Sequence, residues 1–498
     1  MIAAGVPVEV LWSFAGFRTI TLAILPAIHI LEFGLKNIWV RDRGRPDALS
    51  RRRNGWVSRP KTGHGVHGRS SPMSSDLIPM RWPTLWRSAS ALERLANTGI
   101  NCLLIEENAS LRPVIERAQQ SGIRVIQGGS QVPGVTVIEG EWPGIMMAES
   151  NDKDKASAGP TGLPWVDSNG WKVRLAAALN PQSTIWVDVA PPKTPLPGSY
   201  QLCYADVAAC GGRWVIALDD QLAVGIEAGD VEALGTWKAL ARNVEFFATQ
   251  QHWSAYAGEA VVGIVSSFSG DNEFSSRELL NLLTRTMEQY RIIPKGNSSV
   301  ASLSGLKAAL YFDADPPAAE LRQQLLDFVQ TGGLLITTGA WGTVPGNPAQ
   351  LDHPRYTCNV LGKGRIAIAK PGEDSDPYLV ANDTVALVSH RFDLLRFWDA
   401  GAVNAYLSMA PDRKRSVVQM VFYAWEMNGK VAMHGPDNAT VRVAGQFRSA
   451  QLLTLDQQKI PLTIGKPGDD NVGMVVEKDS VELHLPPLSN YAAVELTV

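Results

Sequence analysis

The chain has 498 residues, of which 45% are hydrophobic and 19% are charged, a composition typical of folded globular proteins. This length exceeds what one hydrophobic core usually organises, so about three domains are expected. The formal net charge of -3 provides no overall positive field for a phosphate backbone, which argues against nucleic acid as the main partner.

Residues 1–75 differ in character from the rest of the chain. The apolar stretch 19–33 is short for a membrane span and contains Pro26 and Glu32, and no clean small-residue cleavage site follows it. Residues 41–72 are rich in Arg, Gly, Ser and Pro without hydrophobic periodicity, which is typical of disorder. Two interpretations are open: a membrane-proximal basic tail, or an upstream extension with translation starting at Met73 or Met80. We favour the extension and expect no stable membrane insertion; a cytoplasmic and an exported location both stay open.

Residues 76–257 contain short apolar runs that end in polar or acidic residues and alternate with helix-like segments. The runs are IPMRWP, NCLLIEE, IRVIQGG, GVTVIEG, PGIMMAES, LPWVDSNG, TIWVDVAP and RWVIALDD. Strands that alternate with helices indicate a parallel sheet. Eight runs predict a (β/α)₈-like barrel. Convincing helices are missing between the third and fifth runs, so a degenerate barrel is expected.

Two further domains are predicted from the pattern that follows. Residues 258–410 read strand, helix, strand, helix, strand, from EAVVGIVSSFSG to LLITTGAWG, an order typical of a flavodoxin-like doubly wound sheet. Residues 411–498 change to alternating apolar and polar positions, from SVVQMVFYAWE to YAAVELTV. This alternation predicts a small antiparallel β-sandwich.

The sequence motifs indicate no metal site and no cofactor site. The four cysteines have no paired metal spacing, and the eight histidines form no H-E-x-x-H motif. No G-x-G-x-x-G follows a strand, and Gly362-Lys363-Gly364 lacks the rest of a P-loop, so no nucleotide cofactor is expected.

The order of barrel, flavodoxin-like domain and sandwich resembles bacterial glycoside hydrolases of the β-galactosidase type, which carry a trimerisation domain related to glutamine amidotransferases. The strings VVGIVSSFSG, LLDFVQTGGLLITTGAWG and NVLGKGRIAIAK are similar to elements of that domain. SVVQMVFYAWE through LPPLSNYAAVEL is similar to the terminal sandwich of the same enzymes, and the barrel matches in pattern only.

The resemblance implies a structural role for the middle domain. Related amidotransferases carry a Cys nucleophile on a strand–helix elbow, whereas the candidate positions here hold Ser266, Ser267, Thr337 and Thr338. An amidotransferase-like activity is therefore not expected. Self-association through this domain, giving a homo-oligomer, is an expectation that follows from the same resemblance.

Acidic residues at the ends of the predicted barrel strands are the candidates for catalysis, because the active sites of parallel barrels lie at the carboxyl ends of their strands. These acids are Glu106, Glu107, Glu139, Glu141, Glu149, Asp167, Asp188, Asp219 and Asp220. Glycoside cleavage needs two carboxyl groups, one protonated and one ionised. We predict Asp167 and Asp188 as this pair, with Asp219 and Glu149 as alternates. A role for any of these acids as a helix cap is the competing interpretation.

Aromatic and amide side chains near the two predicted acids suit a sugar. Trp is unusually frequent, with 15 residues against 13 Phe and 10 Tyr, and its flat apolar face packs well on a sugar ring. The predicted substrate-binding residues are Trp165, Asn169, Trp171 and Trp186. The sequence thus predicts a glycoside hydrolase-like protein that acts on an oligosaccharide by carboxylate acid/base chemistry. A catalytically silent carbohydrate-binding or scaffold protein on the same architecture is the alternative.

Overall fold

A computed structural model describes residues 77–146, 164–196, 198–297, 300–372, 376–427, 430–432, 435–465 and 472–498. The predicted N-terminal extension and Glu149 lie outside these described residues. No described helix combines the length and the apolar composition that crossing a bilayer requires.

The first part of the described chain alternates short strands with helices. Its strands are β1 (Pro79–Arg81), β2 (Cys102–Ile105), β3 (Arg124–Gln127), β4 (Val135–Glu139), β5 (Gly144–Ile145), β6 (Val166–Asp167), β7 (Thr184–Asp188) and β8 (Arg213–Trp214). Its α-helices are α1 (Arg112–Gln120), α2 (Gly170–Leu179), α3 (Ser199–Ala208), α4 (Asp220–Ala228) and α5 (Val231–Thr249).

Six of these strands run parallel in an open series. One sheet has the order β1-β2-β3 and another the order β4-β7-β8, and a parallel bridge between Met80 and Ile216 connects them. The eight predicted strand runs do not form a closed barrel among the described residues, where the sequence predicts a degenerate (β/α)₈-like barrel. β5 and β6 pair with each other as a separate antiparallel sheet, so β4 pairs directly with β7. The series stays open because β3 and β4 do not pair with each other. What forms is an α/β arrangement with an open parallel arc.

The two faces of this arc differ, because successive residues of a strand point to opposite sides. Outward-facing residues such as Leu103, Val187 and Ile216 pack in one large cluster with side chains of helices α1 to α5. Inward-facing residues form a small separate cluster that contains Cys102 and Trp186. Burial against the helices therefore supplies most of the core, and the inner face holds only a thin apolar layer.

A second α/β part follows, with five parallel strands and an antiparallel hairpin. Its strands are β10 (Val262–Ser266), β11 (Tyr290–Pro294), β12 (Ala308–Tyr311), β13 (Leu334–Thr337), β14 (Asn347–Ala349), β15 (Tyr356–Leu361) and β16 (Gly364–Ala369), preceded by β9 (Ala257–Gly258). The helices are α6 (Glu273–Arg285), α7 (Ala319–Gln330) and α8 (Pro377–Val388). The strand order is β11-β10-β12-β13-β16-β15-β14. Side chains of α6 and α8 pack on one face of this sheet and those of α7 on the other, which makes the sheet doubly wound.

The last part consists of two antiparallel sheets. Its strands are β17 (Leu395–Trp398), β18 (Ala402–Met409), β19 (Arg415–Met427), β20 (Lys430–Ala432), β21 (Thr440–Ala444), β22 (Ser449–Thr454), β23 (Lys459–Leu462), β24 (Gly473–Val476), β25 (Ser480–His484) and β26 (Tyr491–Thr497). One sheet has the order β17-β21-β25-β24 and the other β23-β22-β26-β19-β18-β9. Buried side chains of both sheets share one apolar cluster, as in a β-sandwich.

Candidate active site at the carboxyl edge of the parallel arc

Two carboxylic acids end neighbouring strands of the arc at the same level. Glu139, the last residue of β4, is the Cα partner of Asp188, the last residue of β7. Asp188 lies two residues after Trp186, whose side chain belongs to the inner-face cluster, so both acids project from the inner face. Glu139 is exposed and the Asp188 side chain is 37% exposed, so solvent reaches both.

Arg81 adds a cation to the same edge. It ends β1, and its guanidinium donates hydrogen bonds to both carboxylate oxygens of Asp188, at 2.8 Å to Oδ1 and 2.6 Å to Oδ2. Both hydrogen bonds come from Nη2, so this one nitrogen lies between the two carboxylate oxygens and restrains the carboxylate. Arg81, Glu139 and Asp188 are therefore three charged side chains, from three strands, at one edge of the arc.

The inner face of the arc next to these charged residues is apolar. Trp186 is 1% exposed, and its indole N–H has no hydrogen-bond partner among the described residues. Val137 is paired in register with Trp186, yet its side chain is 56% exposed. The inner face is thus buried at β7 but open to solvent at β4, as expected for an arc that does not close between β3 and β4.

Asp219 has the role of a helix cap. It precedes α4, and its Oδ1 accepts hydrogen bonds from the backbone N–H groups of Gln221 and Leu222. Its Oδ2 accepts a hydrogen bond from the hydroxyl of Tyr200 at 2.5 Å. Burial, reinforced by this hydrogen bond, raises the pKa of Tyr200 well above its ordinary value. Tyr200 and Asp219 line a cavity of about 440 Å³ together with Thr194, Leu196 and Glu232.

Asp167 lies on a different sheet from Asp188. It belongs to β6, where Gly144 of β5 is its antiparallel partner. The preceding residue, Val166, packs in a cluster with Val421 and Tyr423 of β19, which connects this strand pair to the sandwich. The acids that adjoin in the arc are therefore Glu139 and Asp188.

Three of the predicted sugar-binding residues are buried. Asn169 has no exposed surface, Trp171 is 9% exposed, and Trp186 is 1% exposed. The fourth, Trp165, is half-buried and packs edge-on against Tyr378, with 6.1 Å between ring centroids. The amide of Asn169 is therefore closed to solvent, and neither Trp171 nor Trp186 offers an open indole face to a sugar.

A buried polar network surrounds Asn169. Its side-chain amide donates to a carboxylate oxygen of Asp206 at 2.9 Å, and its backbone N–H donates to the same oxygen at 2.7 Å. The Tyr423 hydroxyl donates to the other oxygen of Asp206 at 2.6 Å, and Asn404 donates to the Tyr423 hydroxyl at 2.9 Å. Asp206 is fully buried, and this burial raises its pKa to about 6 against the opposing effect of its hydrogen bonds.

Sequence reasoning missed Arg81 and ranked Glu139 below other acids. Arg81 lies inside the apolar strand-like run IPMRWP, and a basic residue within such a run was a usable signal. A preference for Glu139 required knowledge that β4 pairs with β7, which periodicity does not contain. Among the described residues no group of three or more His, Cys, Asp or Glu side chains could hold a metal ion.

Comparisons with known proteins give structural neighbours only. No family model matches the chain, and no curated protein matches it in sequence. α-L-Fucosidase isoenzyme 2 from Paenibacillus thiaminolyticus is 10% identical with a TM-score of 0.43, and the match covers 85% of this chain and 84% of the fucosidase.

Two β-galactosidases give similar values. The enzyme from Bacillus circulans sp. alkalophilus is 10% identical with a TM-score of 0.45, and Gan42B, a GH42 β-galactosidase from G. stearothermophilus, is 11% identical with a TM-score of 0.42. Each match covers 78% of this chain and 66% of the galactosidase, so the chain spans just under two thirds of their length. The structural neighbours of this mixed α/β chain thus include glycoside hydrolases.

Proposed function

We propose that the protein is a glycoside hydrolase-like protein that binds an oligosaccharide at the carboxyl edge of β1, β4 and β7 and cleaves a glycosidic bond there. The observation that carries the proposal is the in-register pair of Glu139 and Asp188 on one face of neighbouring strands. Neighbouring strands lie about 4.8 Å apart. Retaining glycosidases place their two carboxyl groups about 5–5.5 Å apart, so this register suits a retaining mechanism.

The surroundings of the two acids assign different roles to them. The guanidinium of Arg81 holds the Asp188 carboxylate in one orientation, which suits a nucleophile that must approach the anomeric carbon along a fixed line. Glu139 is exposed, which suits an acid/base that exchanges protons with water in each cycle. In the first step Glu139 gives its proton to the leaving oxygen while Asp188 bonds to the sugar. In the second step Glu139 takes a proton from water, and water displaces Asp188.

The other predicted acids are less suited to this chemistry. Asp219 already accepts hydrogen bonds from two backbone N–H groups and from Tyr200, so its lone pairs are largely committed. Asp167 belongs to the β5–β6 pair rather than to the arc. Asp219, Asp167 and Glu149 stay predictions. Each becomes a candidate catalytic acid if substitution of Glu139 and Asp188 leaves turnover unchanged.

A silent carbohydrate-binding or scaffold function is the second candidate. One observation favours it: Nη2 of Arg81 donates to both oxygens of Asp188, which are the oxygens that a nucleophile needs. A protein of this kind would bind an oligosaccharide at the same edge without turning it over.

The test measures turnover of a panel of aryl glycosides and oligosaccharides by the wild-type chain, Asp188→Asn and Glu139→Gln. Each variant is expected to lose at least about 10²-fold in turnover, the low end of an acid/base contribution. Because both side chains are solvent-accessible, the melting temperature is expected to stay nearly constant. Glu116→Gln, an exposed carboxylate on α1, is the matched control and should keep full turnover.

The outcomes separate the two candidates. Wild-type binding of an oligosaccharide without turnover of any substrate would support the scaffold function. Turnover that survives in both variants would reassign the catalytic acids. A chain that neither binds nor cleaves any member of the panel would contradict both candidates.

A further inference from the structure

A cavity of about 350 Å³ lies at the edge of the second sheet, away from the arc. The chain runs from β10 to β11 on one side and then crosses to β12 on the other, so the strand order reverses between β10 and β12. In doubly wound sheets, ligands bind outside the carboxyl ends of the strands at this reversal. Asp313, which follows β12, and Thr338, which follows β13, both line the cavity, so it lies at that edge.

One residue of the lining, Asp313, is a buried acid held in place by the turn after β10 and by an ion pair. Asp313 is 2% exposed and accepts hydrogen bonds from the Ser266 hydroxyl at 2.6 Å and the Ser267 backbone N–H at 3.0 Å. The ammonium group of Lys295, at the end of β11, lies 2.6 Å from the Asp313 carboxylate. This network joins the ends of three strands and neutralises the buried charge.

The walls combine hydroxyl groups with apolar side chains. The Thr338 hydroxyl accepts a hydrogen bond from the Ala340 backbone and keeps its own proton to donate. Ser275, on the first turn of α6, and Asp271, in the segment before α6, are both exposed. The apolar side of the lining is formed by Leu279, Phe312, Pro377 and Val380.

These groups select against two classes of ligand. A phosphate would meet the carboxylate of Asp271, while the charge of Lys295 is already used by Asp313. A purely apolar molecule would leave the hydroxyl groups of the wall without partners, which costs free energy. A sugar presents hydroxyl groups at its rim and C–H groups on its faces, which matches both kinds of wall. The volume is at the small end of the roughly 300–1,000 Å³ of ligand sites.

We infer that this cavity binds a neutral polyhydroxylated molecule of monosaccharide size, with Asp271, Ser275 and Thr338 as hydrogen-bonding partners and Leu279, Phe312 and Val380 under its apolar face. The site is separate from the proposed site at the arc. Its occupation would therefore be independent of substitutions at Glu139 and Asp188.

The experiment titrates the full chain with D-glucose, D-galactose and D-mannose by calorimetry and by saturation-transfer NMR. At least one of these sugars is expected to bind at millimolar concentration, and Asp271→Ala is expected to raise its Kd at least about tenfold, since a hydrogen bond to a charged group contributes more than a neutral one. Thr338→Val should also raise the Kd. Asp315→Ala, an exposed acid two residues after Asp313, is the matched control and should bind like wild type.

Asp188→Asn should leave this Kd unchanged, which distinguishes the inference from the proposed function. Binding that disappears in Asp188→Asn but persists in Asp271→Ala would locate the sugar at the arc and overturn the inference. The absence of binding of all three sugars would also overturn it.

Discussion

Replacement of Asp206 by Ala is expected to lower the free energy of unfolding by about 3–5 kcal/mol, because it leaves several buried donors without an acceptor. The Asp206 carboxylate accepts hydrogen bonds from the Asn169 backbone, the Asn169 side chain and the Tyr423 hydroxyl. Asp206 and Asn169 have no exposed surface, so water cannot replace the lost acceptor without a rearrangement.

The position of this network in the fold adds to the expected loss. Asp206 lies on α3, Asn169 precedes α2, and Tyr423 lies on β19 of the sandwich. The Asn169 side chain also accepts a hydrogen bond from the Glu141 backbone and donates one to the Glu141 carbonyl, which fixes the segment after β4. Loss of Asp206 therefore loosens the contact between the first α/β part and the sandwich.

The measurement is urea unfolding near neutral pH, with Tyr423→Phe as the graded comparison. Tyr423→Phe removes one donor from the network and should cost about 1–2 kcal/mol. An Asp206→Ala protein that loses less than Tyr423→Phe would contradict the assignment of Asp206 as the central acceptor.

The local features of this chain are readable from its sequence. TIWVDVAP predicts a buried strand that ends in an acid, and the structure has β7 with Asp188 as its last residue. Trp186 lies two positions before Asp188 and therefore shares a strand face with it, and the Trp186 side chain lies on the inner face. Alternating patterns after residue 411 likewise predict strands, and β19, β21, β22, β25 and β26 form there.

Pairings between distant segments are not readable in this way. Arg81 and Asp188 are 107 positions apart, and nothing in the periodicity around either residue specifies their contact. The sequence pattern also predicts β5 and β6 as barrel strands like their neighbours. In the structure these two strands are only two residues long and pair antiparallel with each other, outside the parallel series. Because of that departure β4 pairs directly with β7, and the partner of Asp188 becomes Glu139 rather than Asp167.

Burial of polar residues is a second feature that a single sequence does not disclose. PWVDSNGW suits a sugar site by its residue types, yet Asn169 has no exposed surface because Asp206, 37 positions away, provides its acceptor. The contacts of Asp219, in contrast, follow from its position in the sequence. An acid directly before a helix is a common N-cap, and Asp219 caps α4 in this way.

Glu288→Gln is expected to have a larger free energy of unfolding than wild type at alkaline pH. The expected difference is up to about 5 kcal/mol, because each unit by which the pKa of Glu288 differs between the folded and unfolded chains corresponds to about 1.4 kcal/mol. Glu288 lies between α6 and β11, is 6% exposed, and its Oε1 has no hydrogen-bond partner among the described residues. Burial raises its pKa to about 8, and the neighbouring charge of Asp393 acts in the same direction.

The sign follows from proton binding. An unfolded glutamate has a pKa of about 4.3, so the folded chain holds this proton more tightly than the unfolded chain does. The stability that this proton contributes is complete below about pH 4 and is lost as the pH rises to about 8. Glutamine is neutral at every pH and similar in shape, so the variant avoids this loss. Near pH 4 the two proteins should differ little.

Urea unfolding of both proteins at several pH values between about 4 and 9 gives the difference directly. Subtraction also cancels the contribution of Asp206, whose raised pKa weakens the fold over a lower part of the same range in both proteins. Glu273→Gln, on the first turn of α6 and ion-paired with Arg277 at the surface, is the control and should follow the wild-type curve. A constant difference between wild type and Glu288→Gln across this range would show that the carboxyl group of Glu288 does not titrate differently in the folded and unfolded chains.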